Sequence, residues 1–263
     1  MNHRDVILRE IGLTPIWRDR TSASTANASA IAESPADTTP RANVSNTTAS
    51  QPVATEAAAA RPAVSATVDV EAVDTRALRI ASLDWEALVA DIAACTACRL
   101  SKTRTQTVPG VGDRAPAWMV VGEAPGENED KRGEPFVGKA GQLLDAMLAA
   151  VGKKRGAGVY IANVIKCRPP GNRNPEPDEI SACAPYLRRQ IALAQPKLLL
   201  AAGKFSAQTL LERDDTVGAM RASGGQFQGI PVVVTYHPSY LLRSPLEKAK
   251  AWDDLMKARA LVP

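Results

Sequence analysis

The sequence predicts an α/β protein, a three-layer α/β/α sandwich with a central four-stranded parallel sheet. Two observations support this fold class. Four short apolar segments bounded by turn residues are typical of buried parallel strands, and they cover 117–122, 159–166, 197–203 and 230–238. Segments with helical spacing lie between them, and regular alternation of strands and helices favours a parallel sheet with helices on both faces.

The predicted helices have apolar residues that recur at intervals of three and four. In chain order they cover 83–95, 138–152, 176–195, 204–213 and 246–261. In an open parallel sheet, ligands bind in the crevice beyond the carboxyl ends of the strands. The loops after the first, second and last predicted strands are rich in glycine, proline and polar residues, so we expect them to form one site.

Composition divides the 263-residue chain into three parts. Residues 21–81 are rich in alanine, threonine, serine and proline and contain almost no large apolar side chains. Such a segment cannot bury enough surface to offset the entropy lost on ordering, so it is predicted to be a disordered linker. The linker separates a short N-terminal peptide, residues 1–20, from a globular domain over residues 82–263.

The formal net charge of +4 is unevenly distributed along the chain. The predicted linker holds four arginines against six carboxylates, so the remainder of the chain carries a net charge of +6. A basic domain suits a polyanionic partner, although a mildly basic surface without a specific partner explains the charge equally well.

Targeting signals are not evident in the sequence. It contains no run of the roughly 18 apolar residues that a membrane-spanning helix needs. The N-terminus mixes Asp5, Arg9 and Glu10 with apolar residues, unlike a secretory signal peptide. We therefore expect a cytoplasmic protein without a membrane partner.

The four cysteines fall into two groups, Cys95 and Cys98 at the end of the first predicted helix and Cys167 and Cys183 around the loop after the second strand. Thiols remain reduced in the cytoplasm, so four of them indicate a metal or cluster site more than two disulfides. Four thiolates can hold either Zn²⁺ or an iron–sulfur cluster, and unrelated buried cysteines are a third explanation.

Three segments, taken together with these cysteines, carry a resemblance to a known family. They read GEAPGENEDKRGEPFVGKAGQLLD (122–145), NVIKCRPPGNRNP (163–175) and HPSYLLR (237–243). The chain resembles the family 4 uracil-DNA glycosylases over about residues 83–260. The resemblance implies a monomeric DNA base-excision repair hydrolase that removes uracil from DNA and leaves an abasic site. It also implies a [4Fe–4S] cluster held by Cys95, Cys98, Cys167 and Cys183 in the catalytic domain, residues 82–263.

The resemblance further implies a pocket for a uracil that has been flipped out of the duplex. Its residues are Glu123, Ala124, Pro125, Phe136, Asn163 and His237. Phe136 offers an aromatic face for stacking, the Asn163 amide matches uracil O4 and N3–H, and a His237 N–H would stabilise charge on uracil O2. Core roles for Phe136 and Asn163 are the alternatives.

The residue that positions the attacking water is left open by the sequence. Family 1 uracil glycosylases have an aspartate in the turn where this chain has Ala124. Glu123, Glu129 and Asp130 are the candidates, and Glu129 would also crowd the methyl group of thymine. The acidic residues in the catalytic set are therefore Glu123 and Glu129, together with His237.

Contacts with the DNA duplex are predicted for two segments. Leu241 and Leu242 are expected to wedge into the duplex, with Arg243 meeting a phosphate or the vacated stack. Arg168 and Arg173, like Lys131 and Arg132, are candidate phosphate contacts, or alternatively solvated surface charges. The segment CRPPGNRNP lacks the basic, histidine-containing insertion of a related subgroup that becomes trapped on DNA, so turnover is expected.

Two further hypotheses remain open. The peptide 1–20 is similar to the short N-terminal peptide of the psi subunit of bacterial DNA polymerase III, which suggests docking to replication machinery. A frayed terminus is the alternative. For the domain itself, the alternative to an enzyme is a noncatalytic iron–sulfur DNA-binding module of the same fold.

Overall fold

The computed structural model describes residues 70–263. The predicted docking peptide (1–20) and most of the predicted linker (21–69) lie outside the described residues. None of the helices over 70–263 combines the length and the apolar character that crossing a bilayer requires.

The described residues form a six-stranded mixed sheet with the order β1-β3-β2-β4-β6-β5. The strands are β1 Val111–Gly112, β2 Trp118–Gly122, β3 Val159–Asn163, β4 Leu198–Ala202, β5 Gly225–Phe227 and β6 Ile230–Thr235. The four central strands are parallel, and β1 and β5 pair antiparallel at the two edges. The α/β class is confirmed, but the sheet is not limited to the four predicted strands. The edge strands have two and three residues, too few to give a periodic pattern.

Nine α-helices cover the described residues. They are α1 Val70–Ala81, α2 Trp85–Ala94, α3 Glu127–Arg132, α4 Lys139–Ala150, α5 Pro177–Ala194, α6 Lys204–Leu211, α7 Val217–Ser223, α8 Pro238–Arg243 and α9 Lys248–Leu261. The five predicted helices correspond to α2, α4, α5, α6 and α9. Of the four others, α3, α7 and α8 have six or seven residues, which gives little periodicity to detect.

Two hydrophobic cores lie on opposite faces of the sheet. Along β2, Met119 and Val121 belong to the core beneath α1, α2, α5, α6 and α7, whereas Trp118 and Val120 belong to the core beneath α4, α8 and α9. Successive side chains of a strand point to opposite faces, so each parallel strand contributes to both cores. Every residue of β2, β3 and β4 is buried, which explains their continuous apolar sequences.

Helix α1 corrects the predicted boundary of the linker. Its 12 residues, Val70–Ala81, fall inside the segment 21–81 that composition assigned to a disordered linker. Ile80 is fully buried in the core, and the Arg76 guanidinium donates to the carbonyl of Ala182 on α5. Tertiary contacts therefore order a segment whose composition alone does not favour a helix, and the folded domain extends at least to Val70.

Candidate active site

The carboxyl ends of the parallel strands bring the predicted loops to one edge of the sheet. Gly122 of β2 pairs with Asn163 of β3, and Ala202 of β4 pairs with Thr235 of β6. Beyond this edge lies a cavity of about 330 Å³. All six predicted base-contacting residues line it, as do Glu129, Arg173 and Arg243; the six are Glu123, Ala124, Pro125, Phe136, Asn163 and His237.

Gly122 lets the two base-recognition candidates approach the end of β2. A Cβ atom at this position would lie 2.3 Å from Asn163 Oδ1 and 2.6 Å from two ring atoms of Phe136. Both distances are far inside van der Waals contact, so any side chain at residue 122 would displace Asn163 or Phe136. Gly122, which begins the GEAPG turn, is therefore required for Asn163 and Phe136 to occupy their positions in the cavity wall.

Phe136 is held in an unusual backbone conformation, with a φ of 56°. Arg155 supports it from outside the cavity, since its Nη2 donates to the Phe136 carbonyl at 2.9 Å and its Nη1 to the Pro135 carbonyl at 2.8 Å. A left-handed conformation is costly for a bulky residue and persists where surrounding contacts enforce it. These contacts aim the ring into the cavity, where it stacks on His237 with ring centroids 5.5 Å apart.

Asn163 is buried at the end of β3, with 2% of its surface exposed. Its side-chain Oδ1 has no hydrogen-bond partner among the described residues. Its main-chain carbonyl accepts a hydrogen bond from the buried ammonium group of Lys166 at 2.5 Å. A buried amide oxygen without a partner is costly and calls for an explanation. A ligand N–H in the cavity would satisfy it.

His237 is neutral at physiological pH. Burial, together with the positive charge of Arg243, lowers its pKa to about 4. Nδ1 accepts a hydrogen bond from the backbone N–H of Ser239 at 3.1 Å and lies 2.7 Å from the Ser239 hydroxyl oxygen. Because Nδ1 is an acceptor, the single proton of the neutral ring lies on Nε2. The ring therefore presents an N–H donor without carrying a positive charge.

Each of the three acidic candidates accepts hydrogen bonds from backbone N–H groups. Glu123 Oε1 accepts from Phe205 N at 3.1 Å, and burial raises the pKa of its carboxyl group. Glu129 accepts from three backbone N–H groups, those of Gly126 at 3.1 Å, Val137 at 3.0 Å and Gly138 at 3.2 Å. Asp130 is buried, accepts from Thr105 N at 2.9 Å and does not line the cavity. Of the three, Glu123 and Glu129 line the cavity.

The prediction that Leu241 and Leu242 both insert into the duplex is wrong for Leu241. Leu241 has 1% of its surface exposed and belongs to the core beneath α8 and α9. Leu242 has 43% exposed, and Arg243 is exposed at the rim of the cavity. Successive helical residues are about 100° apart, so two adjacent leucines in α8 cannot share one face. Leu242 and Arg243 face outward from this helix, as does Tyr240, which is also exposed.

The predicted phosphate contacts are partly engaged within the protein. Arg173 forms a two-point ion pair with Glu179, at 2.5 and 2.9 Å, and holds the pKa of that carboxyl group below its usual value. Arg168 Nε donates to Asn172 Oδ1 at 2.8 Å. Sequence reasoning missed the cavity-lining role of Asn172, Asn174 and Ser239, although all three lie in the quoted segments.

The four cysteines are brought together at a place separate from the active-site cavity, with which they share no lining residue. Cys95, Cys98, Cys167 and Cys183 all line a second, small cavity between the end of α2 and α5. Arg104 Nη1 donates to Cys167 Sγ at 3.1 Å, and the fully buried Lys166 lines the same space. Burial raises the pKa of the Cys183 thiol to about 12, so its thiolate form requires a cation nearby.

The spacing of the thiols bears on what they can hold. Over residues 70–263, no three histidine, cysteine or acidic side chains lie close enough to bind one metal ion. A single Zn²⁺ would need every sulfur at about 2.3 Å from one point. A cluster of four irons has each thiolate on a different iron and accepts sulfurs that stand farther apart. Four thiols that line one cavity match the number of thiolate ligands that such a cluster takes.

Comparison with known proteins places the chain in a family. The family model of the Uracil DNA glycosylase superfamily matches residues 109–256, which include the cavity-lining loops. The chain belongs to this superfamily. A type-4 uracil-DNA glycosylase from Pyrobaculum aerophilum is 42% identical over 181 residues, 66% of this chain and 92% of the relative. Type-4 enzymes from Archaeoglobus fulgidus and Thermotoga maritima are each 40% identical and are covered over 89% of their length.

The similarity to the type-4 group confirms the resemblance found in the three sequence segments. A type-5 uracil-DNA glycosylase from Pyrobaculum aerophilum is less similar, at 31% identity over 66% of its length. The superfamily model matches residues 109–256. Helix α1, Val70–Ala81, precedes these residues and therefore lies outside the matched region.

Proposed function

We propose that this protein is a type-4 uracil-DNA glycosylase, a hydrolase that cleaves the N-glycosidic bond of uracil in DNA and leaves an abasic site. The observation that carries the proposal is the buried Asn163, whose Oδ1 lacks a partner among the described residues and which lines the cavity together with Phe136 and His237. A cavity of about 330 Å³ is large enough for a single nucleobase. The similarity to type-4 enzymes supports the same function.

Base recognition is assigned to Asn163 and Phe136. Uracil N3–H would donate to the vacant Oδ1, and the amide N–H would donate to uracil O4. Cytosine presents the opposite pattern on this edge and would leave buried groups mismatched, which sites of this kind reject strongly. The Phe136 ring, held by Arg155, would stack on the extruded base.

Stabilisation of the leaving group is assigned to His237. As the glycosidic bond breaks, negative charge develops on uracil O2 and positive charge on the sugar. A neutral imidazole with its proton on Nε2 can donate to O2 without placing a second positive charge beside the sugar cation. Backbone N–H groups of Glu123 and Ala124, in the turn that follows β2, would assist.

Water positioning is assigned to Glu123, with Glu129 as a residue that shapes the pocket. Glu129 is committed to three backbone N–H groups of the turn and of the Phe136 loop. The Glu123 carboxyl group lines the cavity and accepts from Phe205 N through Oε1, and burial raises its pKa, which favours accepting a proton. Either carboxylate would also stabilise the positive charge that develops on the sugar.

Duplex contacts are assigned to the outward face of α8 and to the loop after β3. Leu242 would fill the space left by the extruded base, and Arg243 at the cavity rim would meet a phosphate or the open stack. Arg168 would contact the backbone, whereas the pairing of Arg173 with Glu179 favours a role in holding the loop.

The cysteine cavity is proposed to hold a [4Fe–4S] cluster through Cys95, Cys98, Cys167 and Cys183. When bound, the cluster would supply a structural crosslink between the end of α2, the loop after β3 and α5. The buried Lys166 and the Arg104 guanidinium place positive charge beside four thiolates, as an anionic cluster requires.

The deciding experiment is incubation of the purified chain with an oligonucleotide that contains one uracil, followed by alkali cleavage at abasic sites. Release of free uracil in equal amount to abasic sites is expected, with none from the same sequence containing thymine. His237→Ala should slow release strongly, whereas His3→Ala, the other histidine substitution available, should not. A chain that binds this DNA without releasing uracil would be the noncatalytic iron–sulfur module instead.

Three finer points belong to the same proposal. The chain would act as a monomer, in the cytoplasm, where thiols remain available as ligands. The N-terminal peptide, residues 1–20, would tether it to replication machinery. Co-purification of a replication protein with the full chain, and its loss when residues 1–20 are deleted, would test the tether.

A further inference from the structure

Helix α1 covers the cysteine cavity from outside the region that matches the superfamily. Its Arg76 makes three contacts, and all of them are with the wall of this cavity. Nη1 donates to the Ala182 carbonyl at 2.9 Å, and Nη2 donates to Cys95 Sγ at 3.6 Å. The guanidinium carbon also lies 5.0 Å from the centre of the Tyr186 ring, which lines the cavity.

Arg76 lies on the more open side of the cavity. Cys167 and Cys183 are buried, whereas Cys95 and Cys98 are only half-buried. Solvent and small oxidants therefore reach the thiols most easily at Cys95 and Cys98, and Arg76 donates to the sulfur of Cys95. The burial of Ile80 in the core anchors α1 beside Cys95.

A second guanidinium reaches a different thiol from another direction. Arg104 Nη1 donates to Cys167 Sγ at 3.1 Å, and its Nη2 donates to the Ala93 carbonyl at 3.0 Å. Arg76 and Arg104 thus place N–H donors and positive charge on two separate sulfurs. Sequence motifs predict neither contact, because neither arginine is adjacent to the cysteine to which it donates.

The effect of such contacts on a cluster follows from electrostatics. Each added electron makes a thiolate-bound cluster more negative, so a nearby cation and an N–H donor stabilise the reduced form more than the oxidised form. Hydrogen bonds to sulfur and solvent exposure are the levers by which proteins set cluster potentials.

We propose that α1 is a cover for the cluster and that Arg76, through its hydrogen bond to Cys95 Sγ, raises the cluster's reduction potential and shields it from oxidants. The inference rests on the cluster proposed above. It adds a redox-tuning residue that lies outside the matched region and outside the active-site cavity.

The test compares the full chain with Arg76→Met, which keeps the length of the side chain and removes its charge and donors. The matched control is Arg79→Met on the same helix, because the exposed Arg79 pairs with Asp91 instead of donating to a thiol. Iron content, thermal melting and a redox titration followed by absorbance and electron paramagnetic resonance are measured for each, under anaerobic conditions.

In Arg76→Met, the ratio of reduced to oxidised cluster at a fixed potential should fall about tenfold, which is about 59 mV for a one-electron couple. Exposure to air should bleach its absorbance near 400 nm several-fold faster than in wild type. Arg79→Met should stay within about twofold of wild type in both measurements. Equal potentials for Arg76→Met and wild type, with iron retained, would overturn the inference and leave the proposed cofactor intact.

Two other outcomes are also decisive. A wild-type chain that is purified anaerobically without iron, yet excises uracil, would overturn both the cofactor and the cover while leaving the enzyme assignment standing. If Arg76→Met does not retain iron, Arg76→Lys becomes the deciding variant because it restores the charge. Retention of iron by Arg76→Lys would support the inference. Loss of iron from both variants would show that Arg76 is needed only for folding and would overturn the inference.

Discussion

Asn163→Asp should change the base that this enzyme selects. The amide of Asn163 is buried to 2% exposure, and its Oδ1 has no partner among the described residues, so we expect its hydrogen bonds to be made to the substrate. An ionised aspartate of the same shape only accepts hydrogen bonds. Uracil O4, itself an acceptor, would then face a second acceptor and lose its hydrogen bond. The N4 amino group of cytosine could instead donate to the carboxylate.

The magnitude follows from the burial of the site. One mismatched buried polar pair costs about 1–3 kcal/mol. At about 1.4 kcal/mol per decade, uracil excision should fall roughly 5- to 150-fold. Cytosine excision should become detectable, although slow, since the remainder of the pocket is unchanged. The assay is single-turnover alkali cleavage of matched oligonucleotides that contain uracil or cytosine at one position.

The pH dependence of this variant gives a second check. Burial of the new carboxyl group raises its pKa, and the protonated form regains a donor. Uracil excision should therefore recover as the pH falls through that raised pKa, while cytosine excision declines. The window above pH 5 is clear of His237, whose pKa is about 4.

Asn163→Ala is the control, because it removes both hydrogen bonds and should lose uracil excision without gaining cytosine excision. Melting temperatures identify any variant that is simply unfolded. Uracil excision by Asn163→Asp at the wild-type rate would show that Asn163 does not read the base.

Three further predictions follow from the described geometry. First, kcat/KM of Glu123→Gln, which removes the carboxyl group whose raised pKa would add its own titration, should be constant above about pH 5 and fall as the pH approaches 4, because the lowered pKa of His237 keeps the ring neutral until then; a fall centred near 6.5 in this variant would refute this. Second, Leu241→Ala should lower the free energy of unfolding by about 2–5 kcal/mol in urea titrations. Leu242→Ala should leave stability nearly unchanged and reduce kcat/KM on duplex more than on single-stranded DNA; equal stability losses would contradict the assignment. Third, deletion of residues 1–69 should preserve activity on short oligonucleotides, whereas deletion of residues 1–80 removes the buried Ile80 and should lower the melting temperature; equal melting temperatures would argue against α1 as part of the domain.

Much of the fold could be predicted because the parallel strands are buried on both faces. Continuous apolar segments such as Leu198–Ala202 have no other common interpretation when helices flank them. The edge strands could not be predicted in the same way. Val111–Gly112 contributes two residues whose pairing is decided by β3, and no local pattern records that.

The candidate site was predictable for a related reason. Asn163 and His237 follow strands whose carboxyl ends must meet at one edge, so their proximity is a consequence of topology. The orientation of single side chains was not predictable. Leu241 and Leu242 have the same chemistry, and only the packing of α8 on the core decides that Leu241 is buried.

Helix α1 was missed because local composition and tertiary packing disagree there. Alanine, threonine and aspartate around Arg76 resemble the preceding segment, and the helix is stabilised by contacts with residues about a hundred positions away, such as Ala182. Contacts at such separation leave no trace in a window of neighbouring residues.

The two short edge strands have a consequence for how the protein behaves at high concentration. An edge of a sheet presents a row of N–H and C=O groups that can pair with another molecule and begin aggregation. Here the apolar parallel strands are flanked by antiparallel segments of two and three residues, and Pro231 interrupts the start of β6. Edge strands this short offer an incoming strand too few consecutive hydrogen-bonding groups to hold it. The sheet's most aggregation-prone sequences therefore stay enclosed within one molecule.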